Sequence, residues 1–262
     1  MRLLLINPNI SEDVSALIRD EARRSASAGT GIDVVTAPFG MAYIETRMEA
    51  VVGAYAALQL AAEHAPGHDA VVIAAFGDPG VAGIRELLPV PVIGLTEAAL
   101  ASACLLGARF SVIAISRRIE AWYRDVIGGY GLAGRMASIR ALDRPLRSAG
   151  TVQQEHGERL IELAHAAVRE DGADVIVLAG APLAGLARTV QGRLPVPVVD
   201  GVGSAVRHAE SLASLAPGAA REGGFAPPPE KPNAGLPESL LRALERVCSH
   251  RPPPPSPQGA RP

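Results

Sequence analysis

Residues 68–100 read HDAVVIAAFGDPGVAGIRELLPVPVIGLTEAAL, and residues 172–206 read GADVIVLAGAPLAGLARTVQGRLPVPVVDGVGSAV. The two stretches align Asp69 with Asp174 and Pro89 with Pro195, at offsets of 105 and 106 residues. Each stretch has an acidic lead-in, an apolar run, a turn of small residues, a helical segment and a PVPV strand. The chain therefore contains an internal duplication, and its two halves are structural relatives.

The apolar runs Ala70–Ala75 and Val175–Ala179 are continuous and do not alternate with polar residues. Such runs are typical of strands that are buried on both faces of a parallel sheet. Eight strand segments alternate with helical segments, which favours parallel sheets with right-handed crossovers. We therefore predict an α/β fold of two pseudo-symmetric lobes, each a mainly four-stranded parallel sheet flanked by helices, with a ligand cleft between them.

The predicted domains are residues 1–106 and 107–215, followed by a Pro/Gly-rich C-terminal tail at 216–262. We expect the tail to wrap back on the first lobe at its start, to contain a short helix at 238–247 and to be disordered at its end.

The composition excludes several classes of protein. The chain has 262 residues, 48% of them hydrophobic, a net charge of −2 and a pI near 6.3, so it can bury a large core. Its basic residues are scattered, and no apolar run approaches the length of a membrane span, so neither nucleic acid nor a membrane is an expected partner. The apolar start is too short for a signal peptide, which predicts a cytoplasmic protein. Cys104 and Cys248 are far apart and lack ligand spacing, so no metal site is expected.

A small molecule is the expected ligand because strand ends and helix N-termini carry free backbone N–H groups. The duplication would place the turns 75–78 and 180–182 on opposite walls of one cleft. Asn9 follows the first strand and Tyr43 lies at another connection between a strand and a helix. Asn9 is either a turn residue or a ligand contact, and Asp78 is either the cap of the helix that follows it or a ligand or acid-base residue.

Several motifs occur in the order of a known family. They are INPN at 6–9, AYIETR at 42–47, FGDPG at 76–80, LAGAPLAGL at 178–186, PVVDGV at 197–202 and GGFAPPPEKP at 223–232. The chain thereby resembles the aspartate/glutamate/hydantoin racemase superfamily, and specifically its hydantoin and allantoin racemase branch, over roughly residues 1–232. The resemblance implies an isomerase that needs no cofactor, has two pseudo-symmetric lobes and uses one cysteine per lobe to move a proton on opposite faces of a substrate carbon. Relatives often assemble into oligomers, so a homo-oligomer is a further expectation.

The sequence departs from this family at the positions that carry the chemistry. The first family cysteine stands where this chain has Ala75, and the second stands where it has Gly180. The family's threonine pair, a substrate contact, maps onto Ala114 and Ile115. A methyl group or a hydrogen atom cannot transfer a proton as a thiolate can, so ordinary two-cysteine racemisation is predicted to be absent.

The residues that bind the substrate are predicted to be retained, so that the site still binds an amide, imide or carboxylate. The predicted substrate-binding residues are Asn9, Tyr43, Phe76, Gly77, Asp78, Ala181 and Pro182. One hypothesis is an enzyme with altered, one-sided proton transfer by Asp78, Glu45 or a bound water. The alternative is a non-catalytic ligand-binding or regulatory relative. The catalytic residue itself is unknown from the sequence, and fold alone does not decide activity.

Overall fold

The computed structural model describes residues 1–143 and 148–249, with backbone alone for residues 248 and 249. The strands in this part of the chain are β1 (Arg2–Asn7), β2 (Gly31–Thr36), β3 (Ala70–Ile73), β4 (Val92–Gly94), β5 (Phe110–Ala114), β6 (Met136–Ala141), β7 (Val175–Leu178) and β8 (Val198–Asp200). The α-helices are α1 (Glu12–Ser25), α2 (Arg47–His64), α3 (Val81–Leu87), α4 (Leu95–Leu106), α5 (Glu120–Gly129), α6 (Val152–Asp171), α7 (Leu186–Val190), α8 (Gly201–Leu215) and α9 (Glu238–Ser249).

The strands form two four-stranded sheets with the same topology. The first has the order β2-β1-β3-β4, the second has the order β6-β5-β7-β8, and every pairing is parallel. The apolar runs that define β3 and β7 are buried along their whole length. The predicted fold class, two related lobes of parallel sheet flanked by helices, is confirmed.

Local capping sets several of the helix starts. Ser11 Oγ accepts a hydrogen bond from the backbone N–H of Val14 and so begins α1, as the sequence predicts. Thr46 and Glu49 form a reciprocal capping box at the start of α2. These caps fix where each helix leaves the strand end before it, which is the edge where ligands bind in parallel sheets.

The two lobes share their cores because the last helix of each lobe packs on the other sheet as well as on its own. Helix α4 follows β4 but contacts β7 and β8, and helix α8 follows β8 but contacts β1, β3 and β4. Val202, Ala205 and Val206 of α8 belong to the same buried cluster as Leu3 and Leu5 of β1. Helices α4 and α8 also pack against each other, so the lobes are joined by a continuous apolar interior.

Some predicted element bounds are wrong. The helix predicted at 184–193 begins two residues later, at Leu186, because Gly185 adopts a left-handed conformation, and its last three residues form a 3-10 helix, Gln191–Arg193. Strands β3 and β7 end at Ile73 and Leu178, two residues and one residue before the predicted ends. The chain leaves the sheet early because the turns that follow include glycines with positive φ, Gly77 and Gly180.

The tail has little regular structure before α9. Residues 216–237 contain no helix or strand, and α9 packs on α2 and α3 of the first lobe. Leu240 and Ala243 of α9 are buried against Ala62 and Leu87. The end of the tail, predicted to be disordered, lies outside the described residues. The bounds of the three predicted domains remain predictions. Among the described helices, none combines the length and apolar character needed to cross a membrane.

Candidate functional site

The turn that follows β3 is built around a buried carboxylate. Asp78 Oδ1 accepts a hydrogen bond from Thr96 N at 2.8 Å, and Oδ2 accepts from Glu97 N at 2.9 Å and from the Tyr130 hydroxyl at 2.7 Å. Burial raises the pKa of Asp78 to about 6, against the opposing effect of these three donors. Asp78 also has a φ of 51°, which is uncommon for a residue with a side chain. The hydrogen bonds hold the turn in this conformation.

The prediction that Asp78 caps the helix directly after it is wrong. Helix α3 begins after Gly80, which makes no side-chain cap. Asp78 instead caps α4, at Thr96 and Glu97, because the turn after β3 lies beside the end of β4. A cap of this kind occupies the carboxylate oxygens, so Asp78 is first of all a structural residue.

The backbone N–H of Gly77 is also occupied. It donates to Thr96 Oγ1 at 2.5 Å. The sequence predicts that this N–H group binds a ligand, but the bond to Thr96 already occupies it. The indole of Trp122 lies against Gly77, where a Cβ would overlap the ring. Gly77 has a φ of 99°, so both its conformation and its neighbour require glycine.

Aromatic side chains from the second lobe cover this turn. The rings of Phe76 and Tyr123 are 4.8 Å apart between centroids, and those of Trp122 and Tyr123 are 5.5 Å apart. All three side chains are buried. Sequence reasoning missed Trp122, Tyr123, Tyr130 and Thr96. The available signal was that Trp122 is the single tryptophan in a chain with 3% aromatic residues.

The turn that follows β7 matches this turn at one glycine only, because Ala181–Leu183 form a 3-10 helix where Gly77 and Asp78 have positive φ. Gly80 has φ and ψ of 80° and −3°, and its counterpart Gly185 has 80° and −11°. Leu183, fully buried, takes the place of Asp78. The carboxylate of this lobe comes from Asp200 at the end of β8, which caps α8 by accepting from Gly203 N at 2.8 Å. Burial raises the pKa of Asp200 to about 6 as well.

Four backbone donors remain unpaired at these turns. No hydrogen bond among the described residues uses the N–H of Ala75 or Phe76 after β3, or that of Gly180 or Ala181 after β7. The duplication relates Ala75 to Gly180 and Phe76 to Ala181, so the two pairs are equivalent. Unpaired N–H groups at such strand ends are suited to bind carboxylate or carbonyl oxygens.

Residues 75 and 180, which the resemblance assigns to the family cysteines, have few apolar neighbours. Ala75 is 7% exposed and belongs to none of the four buried apolar clusters. A Cβ built on Gly180 would meet Pro182 Cδ at 3.5 Å and nothing else within 4 Å. Ala114 and Ile115, at the positions of the family threonine pair, are buried in the core of the second lobe.

Asn9 is held in the turn after β1. Its Oδ1 accepts from Ser11 N at 3.1 Å, and its own backbone N–H donates to Asn7 Oδ1 at 3.2 Å. No partner for Asn9 Nδ2 occurs within the described residues, so this amide group is a remaining donor near the start of α1. Helix α1 contacts the 181–183 turn of the second lobe, which brings the first strand's end towards the end of β7.

Tyr43 packs against a buried cluster to which both lobes contribute residues. The cluster contains Ala181 and Leu95, and the burial of Tyr43 raises the pKa of its hydroxyl. Pro182 is buried beside Ala181. The backbone N–H of Glu45 donates to Glu49 Oε2 at 2.8 Å, while its own carboxylate has no partner in the described part of the chain.

The described residues contain no group of three or more His, Cys, Asp or Glu side chains placed to hold a metal ion. Two cavities of the described structure lie elsewhere, around α3, α9 and the tail. The feature of the described structure that points to binding at these turns is the set of unpaired donors.

Known proteins resemble this chain over most of its length. Residues 3–209 match the family model described as Asp/Glu/Hydantoin racemase. Hydantoin racemase of Paenarthrobacter aurescens is 35% identical over 238 residues, which are 88% of this chain and 99% of the relative. Hydantoin racemase of Rhizobium meliloti is 32% identical over 90% of this chain and 98% of the relative. The solved structure of allantoin racemase from Klebsiella pneumoniae superposes with a TM-score of 0.86 at 35% identity, and covers 92% of this chain and 98% of its own.

Proposed function

Because the chain belongs to the Asp/Glu/hydantoin racemase family, we propose that it binds a small amide, imide or carboxylate between its lobes and lacks ordinary two-cysteine racemisation. Its relatives carry the names hydantoin racemase and allantoin racemase, which supports a ring with imide carbonyls as the ligand. Ligand binding needs no cofactor in this proposal.

One observation carries the binding part of the proposal. The unpaired N–H groups form two equivalent pairs, Ala75 with Phe76 and Gly180 with Ala181, at the ends of β3 and β7. A planar ring with carbonyl oxygens on opposite sides presents acceptors to both pairs at once. Asn9 Nδ2 is a further donor. Because Gly77 N–H is bonded to Thr96, it is left out of the binding set.

The residues that stand in place of the two thiols determine which proton transfer is possible. Removal of one positioned acid-base group typically lowers a rate by about 10² to 10⁴, and here both positions, Ala75 and Gly180, are inert. Asp78 is engaged by three donors and is a poor candidate for the missing base. Glu45, or a water held by the free N–H groups, is the source of the altered, one-sided proton transfer that we propose.

The test measures binding and proton transfer separately. Candidate hydantoins and allantoin should raise the melting temperature, since a ligand that binds only the folded state stabilises it. In deuterium oxide, exchange at the ring carbon, followed by NMR, should be at least about 10²-fold slower than in the double variant Ala75→Cys, Gly180→Cys. Polarimetry should show racemisation in that variant once circular dichroism has shown that it is folded, because Gly180 has a φ of 114° that residues with a side chain rarely adopt.

The matched control is Ala74→Cys, because Ala74 lies one residue earlier and its side chain is fully buried in an apolar cluster. It should gain no activity. Wild-type racemisation as fast as that of the double variant would show that thiols are not needed. Binding without any exchange would favour the non-catalytic relative, and no binding of any of these compounds would contradict the proposal. The homo-oligomer and the cytoplasmic location remain proposals beside it.

A further inference from the structure

A cavity lies at the amino ends of β3 and β4, at the opposite end of the first sheet from the candidate site. Its volume is about 670 Å³, which is in the range of small-molecule sites. His68 and Val90 line it, and each stands two residues before the start of a strand, β3 or β4. The candidate site lies at the carboxyl ends of the same strands, so this cavity is separate from it.

The tail forms one wall of the cavity. Residues 217–221, Phe225 and Pro227 line it, together with Ala243 and Arg246 of α9. These segments pack on the first lobe, and the described residues leave the space beneath them unfilled.

A smaller and almost wholly apolar cavity adjoins the first. Its volume is about 210 Å³, and it shares Glu86 and Leu87 with the larger one. Its remaining lining residues are Leu58, Gly83, Pro228, Leu236, Leu240 and Leu244. The combined space therefore suits a ligand with an extended apolar part.

The larger cavity carries an excess of positive charge. Arg85, Arg221 and Arg246 line it, against the single carboxylate of Glu86. Arg85 is bonded to Glu97 and to the carbonyl of Val92, so its charge is balanced. Arg221 is exposed in the tail, and the described residues include no ion-pair partner for it.

His68, which lines the cavity, also has a buried polar atom without a partner in the described structure. Its side chain is 7% exposed and Nε2 lies 3.0 Å from Asp33 Oδ2, while the buried Nδ1 has no hydrogen-bond partner within the described structure. A buried polar atom without a partner is rare in folded proteins and needs an explanation.

We propose that this cavity binds an amphipathic anion, with its charged group beside Arg221 and its apolar part lying along Phe225 and the adjoining leucine-lined space. Guanidinium groups form strong charge-assisted hydrogen bonds with carboxylate, sulfonate or phosphate oxygens. The flanking apolar surface supplies the rest of the affinity, since burial of apolar surface is favourable.

The experiment uses the full chain and the fluorescent probe anilinonaphthalene sulfonate, which is an apolar ring system with one anionic group. A saturable titration is expected for the wild type, and Arg221→Glu should weaken the affinity about tenfold. The matched control Arg23→Glu reverses another exposed arginine, on α1 and outside the cavity, and should leave the affinity unchanged. An equal loss in both variants would overturn the proposal, because the effect would then be that of net charge.

A second variant tests whether the probe binds in this cavity. A pair of competitors tests whether the anionic group of the ligand contributes to the affinity. Ala219 is an exposed tail residue in the cavity wall, so Ala219→Trp should block the space without disturbing the core. Octanoate should displace the probe at least about tenfold better than octanol, which lacks the charge. Unchanged binding by Ala219→Trp, or equal competition by octanol, would contradict the site.

Discussion

The two lobes share one strand order but differ in the backbone of the turn after the third strand and in the source of the buried carboxylate. In the first lobe the turn itself supplies Asp78, and in the second lobe the end of β8 supplies Asp200. Gly94, which corresponds to Asp200, cannot carry a side chain because a Cβ there would overlap the Asp78 carboxyl group. Each lobe thus has one buried carboxylate at the start of its last helix. In the first lobe it comes from residue 78 and in the second lobe from residue 200, which are not equivalent positions of the duplication.

The cause of this shared requirement is the meeting of two helix N-termini. A Cβ on Gly201 would overlap Leu95, so α4 and α8 begin in contact with each other. The free N–H groups of both first turns are buried there and need acceptors. A carboxylate in each lobe satisfies them and interacts favourably with the helix dipole.

The largest effect is expected from removal of the two caps. Asp78→Ala leaves three donors without an acceptor and should lower the free energy of unfolding by about 3 to 5 kcal/mol. Asp200→Ala should lower it by about 1 to 2 kcal/mol. Denaturant titration measures both. In the double variant Asp78→Leu, Gly94→Asp the first lobe adopts the arrangement of the second, and stability above that of Asp78→Leu alone would support the comparison. Equal losses in the two alanine variants would contradict it.

The same carboxylates predict an unusual dependence of stability on pH. Folding raises the pKa of Asp78 and of Asp200 to about 6 from 3.8, so the folded state binds more protons between these values. The free energy of unfolding should therefore fall as pH rises from about 4.5 to 7, by about 1 to 3 kcal/mol for each group.

The control for this pH effect is the pair of amide variants. Asp78→Asn and Asp200→Asn should each flatten the slope, because an amide does not titrate. Measurement should stay above pH about 4.5, since Glu49 and Glu210 have lowered pKa values and lose their stabilising charge in acid. A slope that persists in the double amide variant would show that other groups titrate.

An intermediate effect is expected at the equivalent glycines with left-handed backbone. A Cβ on Gly80 would lie 3.0 Å from Ala54 O and 3.2 Å from Ala54 Cα, which are backbone atoms. A Cβ on Gly185 would meet the end of the Glu21 side chain at 3.0 Å. Gly80→Ala should therefore destabilise by about 3 kcal/mol and Gly185→Ala by about 1 kcal/mol, as measured by thermal unfolding. A larger loss of stability in Gly185→Ala than in Gly80→Ala would mean that the Glu21 side chain moves aside less easily than the backbone of α2.

The smallest effect is expected at Tyr130. Tyr130→Phe removes one of the three donors to Asp78 and should lower the free energy of unfolding by about 1 kcal/mol. The matched control is Tyr55→Phe, because the Tyr55 hydroxyl bonds only Gln59 at the surface and should contribute little. If calorimetry gives the same loss for both variants, the Asp78 network has no special role.

Much of the fold was predictable because it depends on local pattern. Continuous apolar runs predicted the strands, Ser11 predicted the start of α1, and the repeat of PVPV predicted two equivalent lobes. The length of α7 was not predictable, since the left-handed backbone at Gly185 depends on Glu21 and Arg188 packed around it.

The candidate site was predictable only in part. The sequence indicates the two turns, and the structure adds that Gly77 N–H is occupied while those of Phe76 and Ala181 are not. The only sequence signal for the aromatic cover by Trp122 and Tyr123 is the single tryptophan, because the cover depends on how α5 of one lobe meets a turn of the other.

By itself the sequence determined the duplication, the parallel strands, the family and the inert residues at 75 and 180, since each is written in residue type and spacing. Tertiary structure alone decided that Asp78 caps α4 and not α3, and that each lobe's last helix packs on the other sheet. The physical reason is that a buried carboxylate bonds whichever donors packing brings to it, and those donors lie 18 and 19 residues further along the chain.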